Sequence, residues 1–193
     1  ALTRARVLTG DIDLRGRLDA VLHKTLTANR DSTALKSDVL DMRRRIAKQH
    51  GALSIWQLKY RRGGLVDIQF IAQYLQLLHA QQNPEILSGS TTAALHRLGQ
   101  AAFMPREQAE GLIDAHRLMR RVRAQLRLIT TDSGNFDADN AQPAIRAQLA
   151  RVILAEDAAK AGYETFDFEK ATTHLSAVIE WVASQFDHIL GAE

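Results

Sequence analysis

KYRRGGLVDIQFIAQYLQLLH, residues Lys59–His79, is the stretch whose reading decides the fold. Its second part, Leu65 to His79, is apolar around most of a helical circumference, and such a helix belongs deep in a core. Its first part runs Lys59, Tyr60, Arg61 and Arg62 into the pair Gly63-Gly64. A buried helix entered through a glycine turn beside three cations is either plain packing or a place built to meet an anion.

Working outward, the rest of the chain repeats the helical period. Leu14, Leu18, Val21, Leu22 and Leu26 fall at three- and four-residue steps, an amphipathic stripe. Ser37 is placed to cap a helix carrying Val39, Met42 and Ile46 that stops at Gly51. SIWQLKY, Ser54–Tyr60, is the one strand-like run, and it would be isolated. Asn83-Pro84-Glu85 breaks the buried helix, and a short helix follows in TTAALHRLGQA. Pro105 suits the first turn of a long helix reaching Ile129. The seam of that helix is Leu112, Ala115, Met119, Val122, Leu126 and Ile129, spaced for packing along a neighbour at a shallow angle. After the polar connection TTDSGNFDADN, two more helices are expected at Pro143–Ala161 and Phe168–Leu190, the second burying Ile179, Val182, Phe186 and Ile189. The expected fold class is all-α: an antiparallel helical bundle with short loops and about seven helices.

The 193 residues suffice for a full core. Hydrophobic residues make up 46% and charged residues 24%, the balance of a globular domain. The absence of cysteine excludes disulfides, thiolate metal sites and cysteine nucleophiles. No apolar run approaches the roughly 18 residues of a membrane span, and nothing resembles a signal peptide, so no membrane partner and a cytoplasmic location are expected. The start ALTRARVLTGD has no initiator Met and reads as a cut within a longer chain, with Glu193 as its C-terminal end. Net charge is +3 and the pI about 9.4. The arginines are scattered over several segments, so no nucleic-acid partner is expected.

Gly10–Leu14, GDIDL, has the two-residue carboxylate spacing of a magnesium site, but no strand or Gly-Ser turn accompanies it. Asp13 serves better as a helix N-cap. The seven histidines show no ligand spacing and read as surface or boundary residues. No nucleophile elbow, P-loop or dinucleotide motif occurs. Arg120, Arg123 and Arg127 share one helix side, more simply a solvated face than a phosphate strip. The glycine turn is the remaining candidate. Gly63 and Gly64 permit a sharp turn and close approach to the main chain, and a helix N-terminus offers free N–H groups and a positive dipole end. Lys59, Arg61 and Arg62 add charge, while Asp67 offsets the dipole or caps an N–H. Residue chemistry alone leaves an anion site and a packing turn equally open.

LKYRRGGLVDIQFIAQYLQLLHA resembles the signature of the helical domain in glutamine synthetase adenylyltransferases, D-[IL]-K-x-G-P-G-G-I-x-D-I-E-F-x-x-Q-x-x-Q-L. Lys59, Gly63, Gly64, Asp67, Ile68, Phe70, Gln73, Gln76 and Leu77 stand at matching positions. Arg4 and Arg6 match an R-A-R pattern, Met42 and Arg43 a D-V-x-x-M-R helix, and AHRLMRRVRAQLRL a later helix more loosely. Arg61-Arg62 replaces the usual Gly-Pro, and Gln69 the usual Glu.

The resemblance implies the helical domain after the C-terminal nucleotidyltransferase core, which moves AMP from ATP to a tyrosine of glutamine synthetase; the other half of such an enzyme removes it by phosphorolysis. Residues 1–12 would then be the exit segment from that core and 13–193 one helical-bundle domain. Partners would be the upstream catalytic domain, glutamine synthetase and, through other domains, the PII signalling protein. ATP and magnesium would belong to the parent enzyme, with none held by this chain alone, and no catalytic residue is expected here. Anion contact would fall to Lys59, Arg61, Arg62, Gly63, Gly64 and Asp67, and the domain junction to Arg4, Arg6 and Arg43. The alternative is a non-catalytic docking or regulatory module.

Overall fold

The computed structural model describes residues 2–129, 136–161 and 166–191. Among them are seven α-helices: α1 Ile12–Leu26, α2 Ser32–His50, α3 Leu65–His79, α4 Thr91–Gln100, α5 Arg106–Ile129, α6 Pro143–Ala161 and α7 Phe168–Leu190. Short 3₁₀ turns occupy Leu2–Arg4 and Pro84–Ile86, and no described residue is in a strand. The fold class is all-α, as the periodicity predicts.

Helix boundaries follow local hydrogen bonding. Asp11, not Asp13, caps α1: its carboxylate accepts from the N–H groups of Asp13 at 2.9 Å and Leu14 at 3.2 Å. The helix therefore starts at Ile12, two residues before the expected position. Likewise Asp31, not Ser37, opens α2, accepting from Ala34 N–H at 2.7 Å. Ser37 lies inside that helix, which ends at Gly51 with φ of 63°. The Arg30 side chain closes α1 by donating to the carbonyls of Thr25 and Leu26 at 2.6 and 3.1 Å. Asp167 caps α7 through Lys170 N–H at 2.7 Å.

Residues 54–60, read as a lone strand, form turns instead. A strand without neighbours leaves its backbone unpaired. Here Gln57 N–H reaches the Ser54 carbonyl at 3.2 Å, and Gln57 Oε1 accepts from Ser54 N–H at 2.8 Å. Trp56 and Leu58 are buried anchors. The Trp56 ring meets Phe136 edge-on at 5.1 Å and stacks on Phe168 at 5.7 Å.

The described residues form two compact units, one of residues 2–43 and 68–113 and the other of 44–67 and 114–191, with the division falling inside α2, α3 and α5. In the first, Ile68, Ile71, Leu95, Leu98 and Leu112 are fully enclosed. Gln76 is buried too, and its Oε1 accepts from Ser88 N–H at 2.7 Å. In the second, α6 packs on α7. Met119, Val122 and Leu126 of α5 are buried there, as are Leu175, Ile179, Val182, Phe186 and Leu190 of α7, whereas Ile129 and Ile189 stay partly exposed. This second unit holds the whole Lys59–Asp67 loop. Residues 130–135 of the polar connection lie outside the described residues.

Candidate functional site

The loop before α3 is closed by the chain itself. Gly64 N–H donates to the Arg61 carbonyl at 3.0 Å, Leu65 N–H to Leu58 at 2.9 Å, Val66 N–H to Lys59 at 3.1 Å and Asp67 N–H to Gly64 at 3.1 Å. Gly63 N–H donates to Asp67 Oδ2 at 2.6 Å. Every amide from Gly63 to Asp67 is thus occupied, where the sequence alone suggests free donors at a helix start. The close approach that the two glycines allow is made by protein backbone. Gly63 sits at φ 74°, and a β-carbon on it would stand 2.0 Å from the Ile179 carbonyl oxygen of α7. One on Gly64 would stand 2.5 Å from the Leu58 oxygen. Neither position tolerates a side chain.

Charge fastens the same loop. Asp67 is fully buried, and its Oδ2 accepts from Arg62 Nη1 at 3.4 Å as well as from Gly63. Arg62 Nη2 pairs with Asp187 of α7, and the guanidinium carbon lies 4.4 Å from the Phe186 ring centroid. Arg62, one of the two departures before the glycines, therefore ties the loop to α7. A backbone cradle for phosphate, with Gly63, Gly64 and Asp67 as its floor, does not fit this geometry.

Two of the proposed cations remain. The exposed Lys59 lies 4.3 Å from its neighbour's ring centroid and donates to Tyr60 Oη. Arg61 is half-buried. Its Nε and Nη1 are enclosed and have no acceptor among the described residues. Burial lowers its pKa from the ordinary arginine value, and the nearby Glu180 charge opposes that shift. Side-chain donors, not amides, are what this loop could offer an anion.

Arg4 and Arg6 are exposed near the N-terminus, whereas Arg43 is buried in α2 at 2% exposure, so the three do not share one surface. Gln69 is partly exposed on α3. His116 is buried, against the expectation of a surface or boundary residue. Arg120 and Arg127 are exposed and Arg123 is partly so, as a solvated helix face requires. Among the described residues, no three His, Asp or Glu side chains gather into a metal-binding group, and no helix is long and apolar enough to cross a membrane. Sequence reasoning missed Asp187 and Ile179, which meet the loop from more than a hundred residues away; no local pattern could pair them with it.

The described residues thus make an all-helical chain whose Gly-Gly-x-x-Asp turn is locked onto a distant helix. Residues 33–185 match the family described as GlnD PII-uridylyltransferase, and the chain belongs to that family. It is also similar to three proteins named bifunctional glutamine synthetase adenylyltransferase/adenylyl-removing enzyme. That of Rhodopseudomonas palustris is 36% identical over the whole chain, that of Bradyrhizobium diazoefficiens 40% over 81% of it, and that of Xanthobacter autotrophicus 39% over 90%. The chain spans 18%, 16% and 17% of these relatives' lengths.

Proposed function

We propose that the chain is the helical part of an enzyme that transfers AMP to glutamine synthetase, and that its Lys59–Asp67 loop contributes side-chain contacts to an anion, with nucleotide phosphate the natural guest. The relatives' shared name guides the choice of glutamine synthetase over PII as substrate. The observation that carries the loop's role is the half-buried Arg61: its Nε and Nη1 are enclosed without an acceptor among the described residues, and Nη2, which is not enclosed, is where an anion would meet the guanidinium. A guanidinium held this way costs stability unless something accepts from it, and a phosphate oxygen is a suitable acceptor. Lys59, exposed beside it, adds a mobile charge. ATP and magnesium would be held mainly by the catalytic domain of the longer protein, in the cytoplasm, with PII acting on other domains. When bound there, magnesium would neutralise phosphate charge during transfer.

The test is to incubate the full-length protein with glutamine synthetase and ATP labelled at the α-phosphate. Label on glutamine synthetase is the expected result. Label appearing instead on PII with UTP as donor would replace the proposed substrate with the other one known to the family description. A second reading, a docking module without nucleotide contact, is favoured by the fully occupied amides of the loop. In that case substitution at Arg61 would change affinity for glutamine synthetase and leave the response to ATP intact.

A further inference from the structure

Helix α1 adds nothing to the core: none of its 15 residues is buried. It is nevertheless amphipathic. Leu14, Leu18 and Val21 follow one face at steps of four and three and are 51%, 43% and 61% exposed. A helix of this length with only Leu22, Thr25 and Leu26 partly covered is marginal in water, and a continuous exposed apolar stripe marks a surface that another surface meets.

We propose that this stripe seats the remaining polypeptide of the longer enzyme, through an apolar surface edged with carboxylates. The proposal rests on reading the chain as part of that enzyme. Two observations select this occupant over others. The relatives devote more than four fifths of their length to sequence outside the matched region, and a surface on the same polypeptide meets α1 at high effective concentration. The positions bordering the stripe are Arg15 and Leu22 on one side and Arg17 and Lys24 on the other, with Asp13 as the one carboxylate, beside Lys24 on the helical wheel at the N-terminal end. An antiparallel pair of α1 helices from two copies would set Arg17 of one against Lys24 of the other, twice, which repels. An acidic rim satisfies both sides and fixes the register.

The test places the photo-cross-linker p-benzoylphenylalanine at position 18 of the full-length protein, with position 23, on the opposite exposed face, as control. The expected result is an intramolecular cross-link from position 18 to an Asp- or Glu-bearing peptide outside residues 1–193, and none from position 23. In the Arg17→Glu, Lys24→Glu background that cross-link should be lost. A product of doubled mass, a cross-link confined to residues 1–193, attachment to lipid or added glutamine synthetase, or no product at position 18 would each overturn the proposal. AMP transfer is measured on the same preparations before irradiation. A cross-link without transfer leaves the interface standing and removes the proposed function; transfer without the cross-link does the reverse.

Discussion

Gly63 has no room for a β-carbon: its φ is positive and the Ile179 carbonyl oxygen would stand 2.0 Å away. Gly63→Ala should therefore lower stability by about 1–3 kcal/mol, the range of strained or overpacked positions. Gly16, exposed inside α1 with nothing near its missing side chain, should do the opposite. Gly16→Ala should gain about 0.5–1 kcal/mol from helix propensity and backbone entropy. Urea unfolding of the two variants reads both values. His79 gives a second residue-scale expectation. It stacks on Phe103 at 4.2 Å between centroids, and burial lowers its pKa from the usual 6.5. The folded state thus prefers neutral imidazole, so this contribution is fully present above pH about 6.5 and is lost as pH falls through the lowered folded value. The unfolding midpoint of the wild type should drop on acidification through that window more than that of His79→Phe. At this scale the sequence reading singled out the glycines, Lys59, the arginines and Asp67 as candidates, because a cation-rich Gly-Gly turn is a local signal. It misjudged what approaches the glycines, because Ile179 and Asp187 arrive from α7 and no local spacing reveals them.

Helices were legible where apolar periodicity is long: α3, α5, α6 and α7 lie where hydrophobic steps, the break at Asn83-Pro84-Glu85 and the start at Pro105 place them. Starts that depend on which of two polar residues caps the helix were not, as Asp11 and Asp31 replaced Asp13 and Ser37. Both choices follow from which side chain reaches an N–H two or three residues on, a matter of backbone angle rather than residue type. The same physics gives a prediction for α7. Asp167 accepts from Lys170 N–H at 2.7 Å and starts the helix that carries both Ile179 and Asp187. Asp167→Ala should cost about 1 kcal/mol, seen as a lowered thermal midpoint, while Asp167→Asn should recover most of it. SIWQLKY misread as a strand because β-branched and aromatic residues favour strands only where a partner strand exists. Trp56 and Leu58 are instead anchors of a turn whose carbonyls feed α3.

At the scale of the whole molecule, the all-α class was legible from composition and period, and the family from the signature around Gly63. The division into two units was not, since it falls inside three helices whose apolar patterns run on without interruption. The functional account turns on what the Lys59–Asp67 loop keeps for itself. Its amides close on the loop itself and Arg62 ties it to α7, which leaves the Arg61 and Lys59 side chains for an anion. The most direct test measures kcat and the KM for ATP of AMP transfer to glutamine synthetase, in full-length wild type and Arg61→Ala, beside their thermal midpoints. A charge-assisted hydrogen bond to phosphate is worth about 1.5–3 kcal/mol, so the variant should lose roughly ten- to a hundredfold in kcat/KM. Its midpoint should be unchanged or slightly raised, because two enclosed donors are removed. Unchanged kinetics with a lowered midpoint would contradict the account and make Arg61 a structural residue like Arg62.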